Sequence, residues 1–505
     1  MKKRMYSIIL AIVCAVSMTA CGSPQETVIE KSTLGNPIAT NVFGGDPSVL
    51  VDGDTVYLYT GHDASTDEEV GKAIYNIPEY LCYSSTDLVN WKEEGVVMSM
   101  SDVKWDSNDT SAWASQVLKH TDPADGKDKY YLYYCSWDKT GKQCIGVAVS
   151  DSPTGQFVDI GEPLVKSTMT KPNTSSFNDI DPTGWIETDE NGEEHRYLAW
   201  GNGMFFVCEL NEDMISIKDL NGDGKITSGT DVATNDIITR TDGLDSYTEA
   251  PWIYKNGDDY YLFFAHKWRE CMAYATTDDL LSGKWSDTKV IMNPTTTSNT
   301  NHMAVFDFKD KTYFVYHNGS LPAGSGYRRS ACIVELNINE DGTIDLFEES
   351  AAGLSGKTNV ISTLDGSSAI GHEAFVNSLA DSDYPYKDVQ LLSVDAGEVT
   401  KDMQWVIRPG KADTSNEAYI SIESENKPGL YVTANSDDSV TLSQDTKASD
   451  ATATSQTFKT VTGLGDKNAI SFESVSQPGK YLTLQDGSLC LTDGKDKKAS
   501  TFIIK

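Results

Sequence analysis

The stretch Tyr260-Tyr261-Leu262-Phe263 decides the fold, because the chain repeats it in four other places. Short runs of aromatic and aliphatic residues are typical of β-strands. Most copies follow a charged turn such as Asn256 to Asp259, and each leads into a second apolar stretch of strand length, which indicates a hairpin. The other copies are Val56-Tyr57-Leu58-Tyr59, Tyr130-Tyr131-Leu132-Tyr133, Tyr197-Leu198-Ala199-Trp200 and Tyr313-Phe314-Val315-Tyr316.

Five copies of one multi-stranded unit, with no helical periodicity between them, predict an all-β chain organised by radial repetition. A five-bladed β-propeller buries each sheet between its neighbours and protects the strand edges. A stack of β-sandwiches would give as many strands, but not five units with the same aromatic order. We therefore expect a propeller over residues 36–355.

Each unit also has an earlier strand, and we expect the residue that begins it to face the central channel. In three units this residue precedes the first aromatic position by 11: Asp46 and Tyr57, Glu249 and Tyr260, His302 and Tyr313. Asp181 begins the third unit, in which an extended turn lengthens the spacing. The pattern predicts that Asp46, Asp181, Glu249 and His302 converge on one axis.

Three carboxylates in one pocket cannot all ionise without a free-energy cost, so at least one pKa rises. A protonated acid beside an ionised base is what hydrolysis of a glycosidic bond requires. The alternative is that Asp46-Pro47 and Asp181-Pro182 are turn formers at strand starts. The shared position of these residues in separate units favours the catalytic interpretation.

Several segments, in this order, resemble glycoside hydrolase family 43 over residues 36 to 355. They are Gly45-Asp46-Pro47-Ser48, Tyr59 to Asp63, Trp113 to Gln116, Asp179 to Thr183, Tyr247 to Trp252, Asn301-His302 and Gly326 to Ser330. The resemblance implies an inverting hydrolase with Asp46 as general base and Glu249 as general acid. It implies that Asp181 orients the acid and tunes its pKa. Ala250 stands where many members have glycine.

The same resemblance implies that His302 helps to hold a hydrated calcium ion in the channel, and that no other cofactor is required. It also implies that one of Arg328 and Arg329 contacts the sugar or Asp181. Trp113 and Phe177 are candidates to stack on a sugar face, with core packing as the alternative for each.

A second candidate calcium site begins at Asp219, where Asp219, Asn221 and Asp223 match the first half of an EF-hand loop. Position twelve of that loop is Thr230 rather than glutamate. A solvated turn rich in Asp, Asn and Gly is the alternative.

After residue 355 the chain carries two copies of a Glu-Ser-x-x-x-Pro-Gly-x-Tyr motif, in Ile422 to Thr433 and in Phe472 to Thr483. Lobes of this size predict a β-trefoil-like module over residues 356–505. The motif is similar to the arabinose-binding domain of arabinofuranosidase B enzymes, and this resemblance implies a carbohydrate-binding module. The histidine usual after the tyrosine step is missing, so the module either binds glycan or only buttresses the propeller.

The N-terminus has the order of a secretory signal: Lys2, Lys3 and Arg4, an apolar run from Met5 to Val16, and small residues before Cys21. It resembles a bacterial lipoprotein signal peptide at residues 1–20, with Cys21 lipidated and residues 21–35 as a linker. We expect a secreted lipoprotein on the cell surface that meets the membrane only through this anchor. The net charge of −34 excludes nucleic acid as a favoured partner.

Together these features predict a hydrolase that removes arabinofuranosyl units from the plant cell-wall polysaccharides arabinoxylan or arabinan. A β-xylosidase or an endo-arabinanase with the same site is the alternative within this class. A surface glycan-binding lipoprotein without activity is the alternative outside it. The intact set of Asp46, Asp181 and Glu249 disfavours that last interpretation, because a binder needs no paired acid and base.

Overall fold

The computed structural model describes residues 24–374 and 389–505. The expected signal peptide and Cys21 lie outside these residues. The described chain consists almost wholly of β-strands, with two short α-helices, α1 (Asp67–Gly71) and α2 (Asp450–Ser455). No helix in these two ranges combines the length and the apolar character needed to cross a bilayer.

Five separate sheets follow one another along the chain as blades I to V, and their strands pair antiparallel except for one parallel pair in blade III. Blade I contains β1 (Gly44–Asp52), β2 (Thr55–His62), β3 (Glu79–Ser85) and β4 (Lys92–Ser99); blade II contains β5 (Ser115–Thr121), β6 (Asp128–Trp137), β7 (Gln143–Ser150) and β8 (Val158–Asp159). Blade III contains β9 (Thr183–Thr188), β10 (Glu194–Trp200), β11 (Phe206–Glu209), β12 (Ser228–Gly229) and β13 (Ile237–Thr239). Blade IV contains β14 (Tyr247–Asn256), β15 (Asp259–His266), β16 (Cys271–Thr277) and β17 (Lys289–Met292); blade V contains β18 (Ala304–Phe308), β19 (Lys311–Asn318) and β20 (Ser330–Glu335).

The first strand of each blade lies innermost, and these strands contact one another in cyclic order: β1 with β5, β5 with β9, β9 with β14, β14 with β18, and β18 with β1. The aromatic strand is the second of each blade. Its central residue is fully buried in every blade because neighbouring blades cover both faces of the sheet: Leu58, Leu132, Leu198, Leu262 and Phe314. The expected five-bladed β-propeller is confirmed.

The segment before β1 closes the ring between the first and last blades. The backbone N–H of Ile38 donates to the carbonyl of Ala331 at 2.8 Å, and that of Gly44 donates to the carbonyl of Arg329 at 2.7 Å. The side chain of Asn36 accepts from the backbone N–H of Ile333 at 2.9 Å. This segment therefore lies along β20 and links the start of the propeller domain to its last blade.

The C-terminal strands form one twelve-stranded, barrel-like sheet around a separate core that includes Trp405, Phe458, Phe472 and Phe502. The strands are β21 (Thr358–Thr363), β22 (Ser368–His372), β23 (Val389–Asp395), β24 (Gln404–Pro409), β25 (Tyr419–Ser424), β26 (Leu430–Ala434), β27 (Val440–Gln444), β28 (Phe458–Thr462), β29 (Ile470–Ser474), β30 (Tyr481–Gln485), β31 (Ser488–Thr492) and β32 (Phe502–Ile504). The trefoil-like all-β expectation is confirmed.

The two motif copies have the same local structure. Glu423 accepts from the backbone N–H of Gly429 at 2.9 Å, and Glu473 accepts from that of Gly479 at 2.8 Å. Both glycines have φ of 85°, in the left-handed region that favours glycine. The glutamate of the motif therefore fixes the tight turn that its Pro-Gly step makes.

The first motif copy lies against the propeller, whereas the second does not. Glu425 accepts from Ser350 Oγ at 2.6 Å and from the backbone N–H of Ala352 at 2.9 Å. A Cβ atom on Gly429 would lie 2.7 Å from Ser320 Cα, but one on Gly479 would meet nothing within 4 Å. The first copy therefore has a structural role at the contact between the two domains.

The described part of the expected linker packs on the C-terminal sheet instead of lying free. The backbone N–H of Thr27 donates to Thr460 at 3.0 Å, and that of Ser32 donates to Ile407 at 2.7 Å. Ile29 packs against the core of that sheet. Residues 25–32 of the expected linker therefore satisfy backbone groups along a strand edge of the C-terminal sheet.

Candidate active site

One cavity of about 640 Å³ opens at the end of the channel, and the five blades all contribute to its wall. Asp46, Asp181, Glu249 and His302 all line it, as the sequence predicts. Four side chains separated by up to 256 positions in the chain therefore meet in one pocket.

Backbone geometry at the start of the inner strands turns these side chains toward the cavity. Asp46, Asp181 and Ala250 have φ of 52°, 58° and 57°, and each precedes a proline. Pairing with the second strand is interrupted here, between Gly45 and Ser48 in β1. The Asp-Pro steps are thus turns as well as functional positions, and the two interpretations from the sequence are compatible.

The strand register shows that aligning the blades by the spacing of 11, from the strand-start residue to the first aromatic residue, places blade IV one residue out of register with blade I. Ser48 pairs with Tyr59, and Trp252 pairs with Phe263. Since Ser48 and Trp252 each follow a proline, Ala250 is the residue equivalent to Asp46. Glu249 instead corresponds to Gly45, so the acid and the base project from non-equivalent positions of their blades.

Asp46 is held as a carboxylate by Arg329. Arg329 Nη1 donates to Asp46 Oδ1 at 2.5 Å. Burial opposes ionisation of Asp46, but the charge and hydrogen bond of Arg329, together with the nearby His317 and His302, leave the pKa of Asp46 below its ordinary value. An ionised Asp46 is suited to accept a proton from water.

Arg329 is in turn fixed by Asp63. Its Nε donates to Asp63 Oδ2 at 2.8 Å and its Nη2 donates to Asp63 Oδ1 at 2.9 Å. His317 lies on the other side of Asp46 and accepts from its backbone N–H at 3.1 Å through Nδ1. Burial lowers the pKa of His317 to about 3, so this histidine is neutral and Arg329 supplies the charge.

Glu249 has the opposite electrostatic environment. Asn202 Nδ2 donates to its Oε2 at 2.5 Å. Burial, followed by repulsion from Asp46, raises the pKa of Glu249 to about 6. Glu249 therefore keeps a proton at higher pH than an ordinary glutamate, as a general acid must.

Asp181 lies between these groups and acts on the backbone that carries Glu249. Its Oδ2 accepts from the backbone N–H of Ala250 at 3.0 Å. Burial and repulsion from Glu249 raise the pKa of Asp181 well above its ordinary value. The contact through Ala250 gives Asp181 a direct means of orienting the acid.

The structure separates the two predicted arginines. Arg329 lines the cavity, but it binds Asp46 and Asp63 and forms no ion pair with Asp181 in the described part of the chain. Arg328 turns away, because its guanidinium pairs with Asp67 at 2.7 Å and donates to the carbonyl of Ser65. Of the two arginines, the wall of this cavity includes Arg329 and not Arg328.

Trp113 and Phe177 both line the cavity and stack on each other with ring centroids 6.1 Å apart and planes 5° apart. Trp137 packs edge-on to Phe177 at 5.1 Å. Phe177 is 40% exposed. The two predicted aromatics thus have packing partners and still present a surface to the cavity.

His302 faces the cavity with a neutral ring, because burial lowers its pKa to about 4. Its ring nitrogens form no hydrogen bond with another residue of the described ranges. Calcium prefers six to eight oxygen ligands, so a single imidazole does not fit direct coordination. Next to Asp46, however, the ring fits a hydrated ion whose water it would contact.

The other predicted calcium residues form an exposed turn within blade III, between β11 and β12. Asp219 accepts from the backbone N–H groups of Gly222 and Gly224 at 2.7 Å each, and Asn221 and Asp223 accept in the same way from Asp223 and Lys225. The two-residue strand β12, not a helix, follows. The side-chain oxygens serve the turn itself, which favours the interpretation as a solvated turn.

Sequence reasoning missed several groups that contact the reacting carboxyls or line the cavity, among them Asn202, Glu270, His317 and Trp268. These residues lie at or beyond the ends of blade strands instead of beginning inner strands. Asn202 comes shortly after β10, Glu270 directly precedes β16, and His317 is the penultimate residue of β19. The signal that could have found them is their position at the same end of the second strand in each blade.

The family model for Glycosyl hydrolases family 43 matches residues 34–344, and that for the Alpha-L-arabinofuranosidase B (ABFB) domain matches residues 431–502. The chain is 27% identical over 355 residues to Beta-D-galactofuranosidase xynD of Aspergillus niger, covering 66% of this chain and 92% of that protein. It is 28% identical over 337 residues to a Xylosidase/arabinosidase of Bacteroides ovatus, covering 60% of this chain and 94% of that protein. A solved glycoside hydrolase family 43 arabinoxylan arabinofuranohydrolase from Bacillus subtilis shares the fold, with a TM-score of 0.51, 21% identity and coverage of 74% of this chain and 79% of that one.

Proposed function

Because the chain belongs to glycosyl hydrolases family 43, we propose that it removes terminal arabinofuranosyl or xylosyl units from arabinoxylan or arabinan. It is a glycosidase, and it inverts the configuration at the anomeric carbon. The observation that carries the proposal is the pair of Asp46, with a lowered pKa, and Glu249, with a raised pKa, in one cavity. These are the two protonation states that the reaction needs.

In the proposed reaction Asp46 takes a proton from a water molecule while the oxygen of that water bonds to the anomeric carbon. Glu249 gives its proton to the glycosidic oxygen as the bond from that oxygen to the anomeric carbon breaks. The sugar leaves with inverted configuration, Asp46 is left protonated and Glu249 ionised, and exchange with solvent restores both. Inverting enzymes keep their two carboxyl groups about 6.5–9.5 Å apart to admit this water.

Three residues support these two without exchanging protons with the substrate. Arg329 keeps Asp46 ionised, and Asn202 holds one oxygen of Glu249. Asp181 fixes the backbone next to Glu249 through Ala250. The aromatic wall of Trp113, Phe177 and Trp137 offers apolar surface to the C–H face of a sugar.

The test is to identify the sugar that the full chain releases, and its anomer. The substrates are arabinoxylan, arabinan, xylo-oligosaccharides and an aryl β-galactofuranoside, the last because of the activity in the name of the Aspergillus niger relative. Early NMR spectra should show β-arabinofuranose from α-arabinofuranosides or α-xylose from β-xylosides. Retention of configuration would contradict the mechanism, and release of galactose alone would contradict the substrate.

The matched variant is E249Q, which keeps the size of the side chain and removes its acidic proton. We expect at least a ~10²-fold loss of kcat on oligosaccharides, since general acid catalysis contributes about that much. A 2,4-dinitrophenyl glycoside should lose far less, because its leaving group needs no proton. Equal losses on both substrates would reject Glu249 as the acid, and no hydrolysis by the unaltered chain would favour a glycan-binding lipoprotein without activity.

The hydrated calcium ion at His302 is a further part of the proposal, and the two-carboxylate step needs no cofactor. If the ion binds there, chelation should change kcat or the melting temperature, and H302A should remove that sensitivity. A response to chelation that H302A leaves intact would place the ion elsewhere.

Lipidation of Cys21, export and surface anchoring also remain proposals, supported by the basic and apolar order of residues 1–20. Metabolic labelling with a palmitate analogue should mark the protein, and C21A should abolish the label. Labelling of C21A would contradict the anchor.

For the C-terminal module we propose weak glycan binding at the second motif copy, which the propeller leaves open.

A further inference from the structure

A fourth carboxyl group, that of Glu270, lies beside the acid and has no part in the mechanism above. Glu270 lines the same cavity and is only 1% exposed. Its carboxyl and that of Glu249 line one cavity and interact with each other. Two buried carboxyl groups can hydrogen-bond to each other only if one of them carries a proton.

The loop before β18 fixes Glu270 on both its side chain and its backbone. The backbone N–H of Asn301 donates to Glu270 Oε2 at 2.7 Å, and the Asn301 side-chain amide donates to the Glu270 carbonyl. The backbone N–H of Glu270 donates to the carbonyl of Asn299 at 3.4 Å. Glu270 is therefore a rigid support and has little freedom to turn away from Glu249.

The charges around Glu270 favour its neutral form. Within residues 24–374 and 389–505 it forms no ion pair, and neighbouring Arg269 directs Nη2 to the carbonyl of Ser298 at 2.7 Å. The charged groups that face it are the carboxyls of Glu249, Asp181 and Asp46. Burial and repulsion from Glu249 raise the pKa of Glu270 well above its ordinary value.

The hydrogen bond from Asn301 also places the proton. A backbone N–H can only donate, so Oε2 of Glu270 is an acceptor there. The carbonyl oxygen of a carboxylic acid is the better acceptor, which leaves the O–H on Oε1. That O–H is then the donor available to Glu249.

We propose that Glu270 is a positioning residue for the general acid: as a neutral carboxylic acid it donates a hydrogen bond to Glu249 and holds that carboxyl toward the substrate. The inference rests on the proposed function, in which Glu249 is the acid. When Glu249 gives up its proton, negative charge develops on its carboxyl. The O–H of Glu270 and the amide of Asn202 are already aimed at that charge, so they stabilise the transition state without reorganising.

The test compares E270A with E270Q, because glutamine keeps an N–H donor for Glu249 and a carbonyl acceptor for Asn301. On an arabino- or xylo-oligosaccharide, E270A should lose about 10- to 100-fold in kcat, a part of the general-acid contribution. On the 2,4-dinitrophenyl glycoside it should stay within about threefold. E270Q should stay within about threefold of the unaltered enzyme on both substrates.

The pH profile gives a second readout that simple packing would not change. In E270A the ionised form of Glu249 loses a donor, so the alkaline limb of kcat/KM should move to higher pH. In E270Q the limb should stay in place, because a neutral group replaces a neutral group. If Glu270 were ionised in the working enzyme, E270Q would remove a negative charge and move the limb to lower pH, which would overturn the proposal.

Other outcomes also decide. Equal losses of E270A on both substrates, or an E270Q variant as impaired as E270A, would reduce Glu270 to a structural residue. If E270A does not fold, as its melting curve would show, the profile of E270Q alone still decides. If E249Q loses as much activity on the 2,4-dinitrophenyl glycoside as on oligosaccharides, the proposed function itself is overturned. If E249Q loses activity mainly on oligosaccharides but E270A has no effect, only this inference is overturned.

Discussion

Replacing Arg329 with methionine should move the acidic limb of kcat/KM to higher pH. The guanidinium lies 2.5 Å from Asp46 Oδ1 and keeps the pKa of that carboxyl below its ordinary value against the effect of burial. Methionine preserves much of the length and apolar contact of the side chain but removes its charge. Asp46 would then remain buried near Asp181 and Glu249 with no cation in contact.

The size of the shift follows from the lost attraction. Two unit charges about 4 Å apart interact by ~4 kcal/mol at an effective dielectric constant of about 20. Since one pKa unit corresponds to about 1.36 kcal/mol, the upper bound is about three units. The ordinary range for a carboxylate beside an arginine is about one to three units, so we expect the limb to move by about two.

The direction in which the acidic limb shifts follows from the role of Asp46 as base. A base with a lowered pKa stays ionised, and therefore active, until the pH falls through that pKa. Without Arg329 the pKa rises, so Asp46 becomes protonated and activity is lost at a higher pH than in the unaltered enzyme. The assay is the pH dependence of kcat/KM on an aryl glycoside, where proton donation by the acid matters least.

The control is R328M, which removes the same charge from the adjacent residue. Arg328 pairs with Asp67 outside the cavity, so this variant should keep the original profile. Because R329M also leaves Asp63 buried without its cation, its melting temperature should fall, and R329M/D63N should recover part of that loss. A folded R329M with an unshifted acidic limb, or an equal shift in R328M, would refute the assignment of Arg329.

Three further predictions follow from other contacts. D46N should lose activity by a similar factor on oligosaccharides and on dinitrophenyl glycosides, because both need an activated water; a loss confined to oligosaccharides would contradict its role as base. W268A should raise KM on oligosaccharides by several-fold with little change in melting temperature, because Trp268 is 49% exposed and lines the cavity; an unchanged KM would show that the substrate does not contact it. G429A should lower the melting temperature more than G479A, because both positions have φ of 85° but only a Cβ at Gly429 would meet the propeller, 2.7 Å from Ser320 Cα; equal shifts would show that this contact between the domains contributes no stability.

The fold could be predicted from the aromatic repeat, and most of the reacting carboxyls from the residues at the strand starts, because both are local patterns in the chain. Asp46 and Asp181 stand out through the proline after each, and the number of blades follows from the aromatic strands. The spacing from strand start to aromatic residue placed Glu249 one residue out of register. Tyr260 and Tyr261 are adjacent, and spacing alone cannot show which of them is equivalent to Tyr57. Only the register decides that.

The missing members of the site depend on packing that no local pattern encodes. Arg328 and Arg329 are neighbours of the same type, and their opposite directions follow from Asp67 and Asp63. Glu270 reaches Glu249 because the Asn299 to Asn301 loop holds it there. Its residue type alone, in a chain with 75 acidic residues, gives no reason to select it.

Closure of the ring has a consequence for how this protein matures. The segment before β1 must wait for β20, so a ribosome that has made only four blades carries a nascent chain whose first and fourth sheets still expose the faces that the last blade will cover. Arg329 begins the stretch that supplies those final partners, and it is also the cation of Asp46. A chain stalled before that point would lack both its last sheet and a competent base, so incomplete products should be inactive and prone to aggregate.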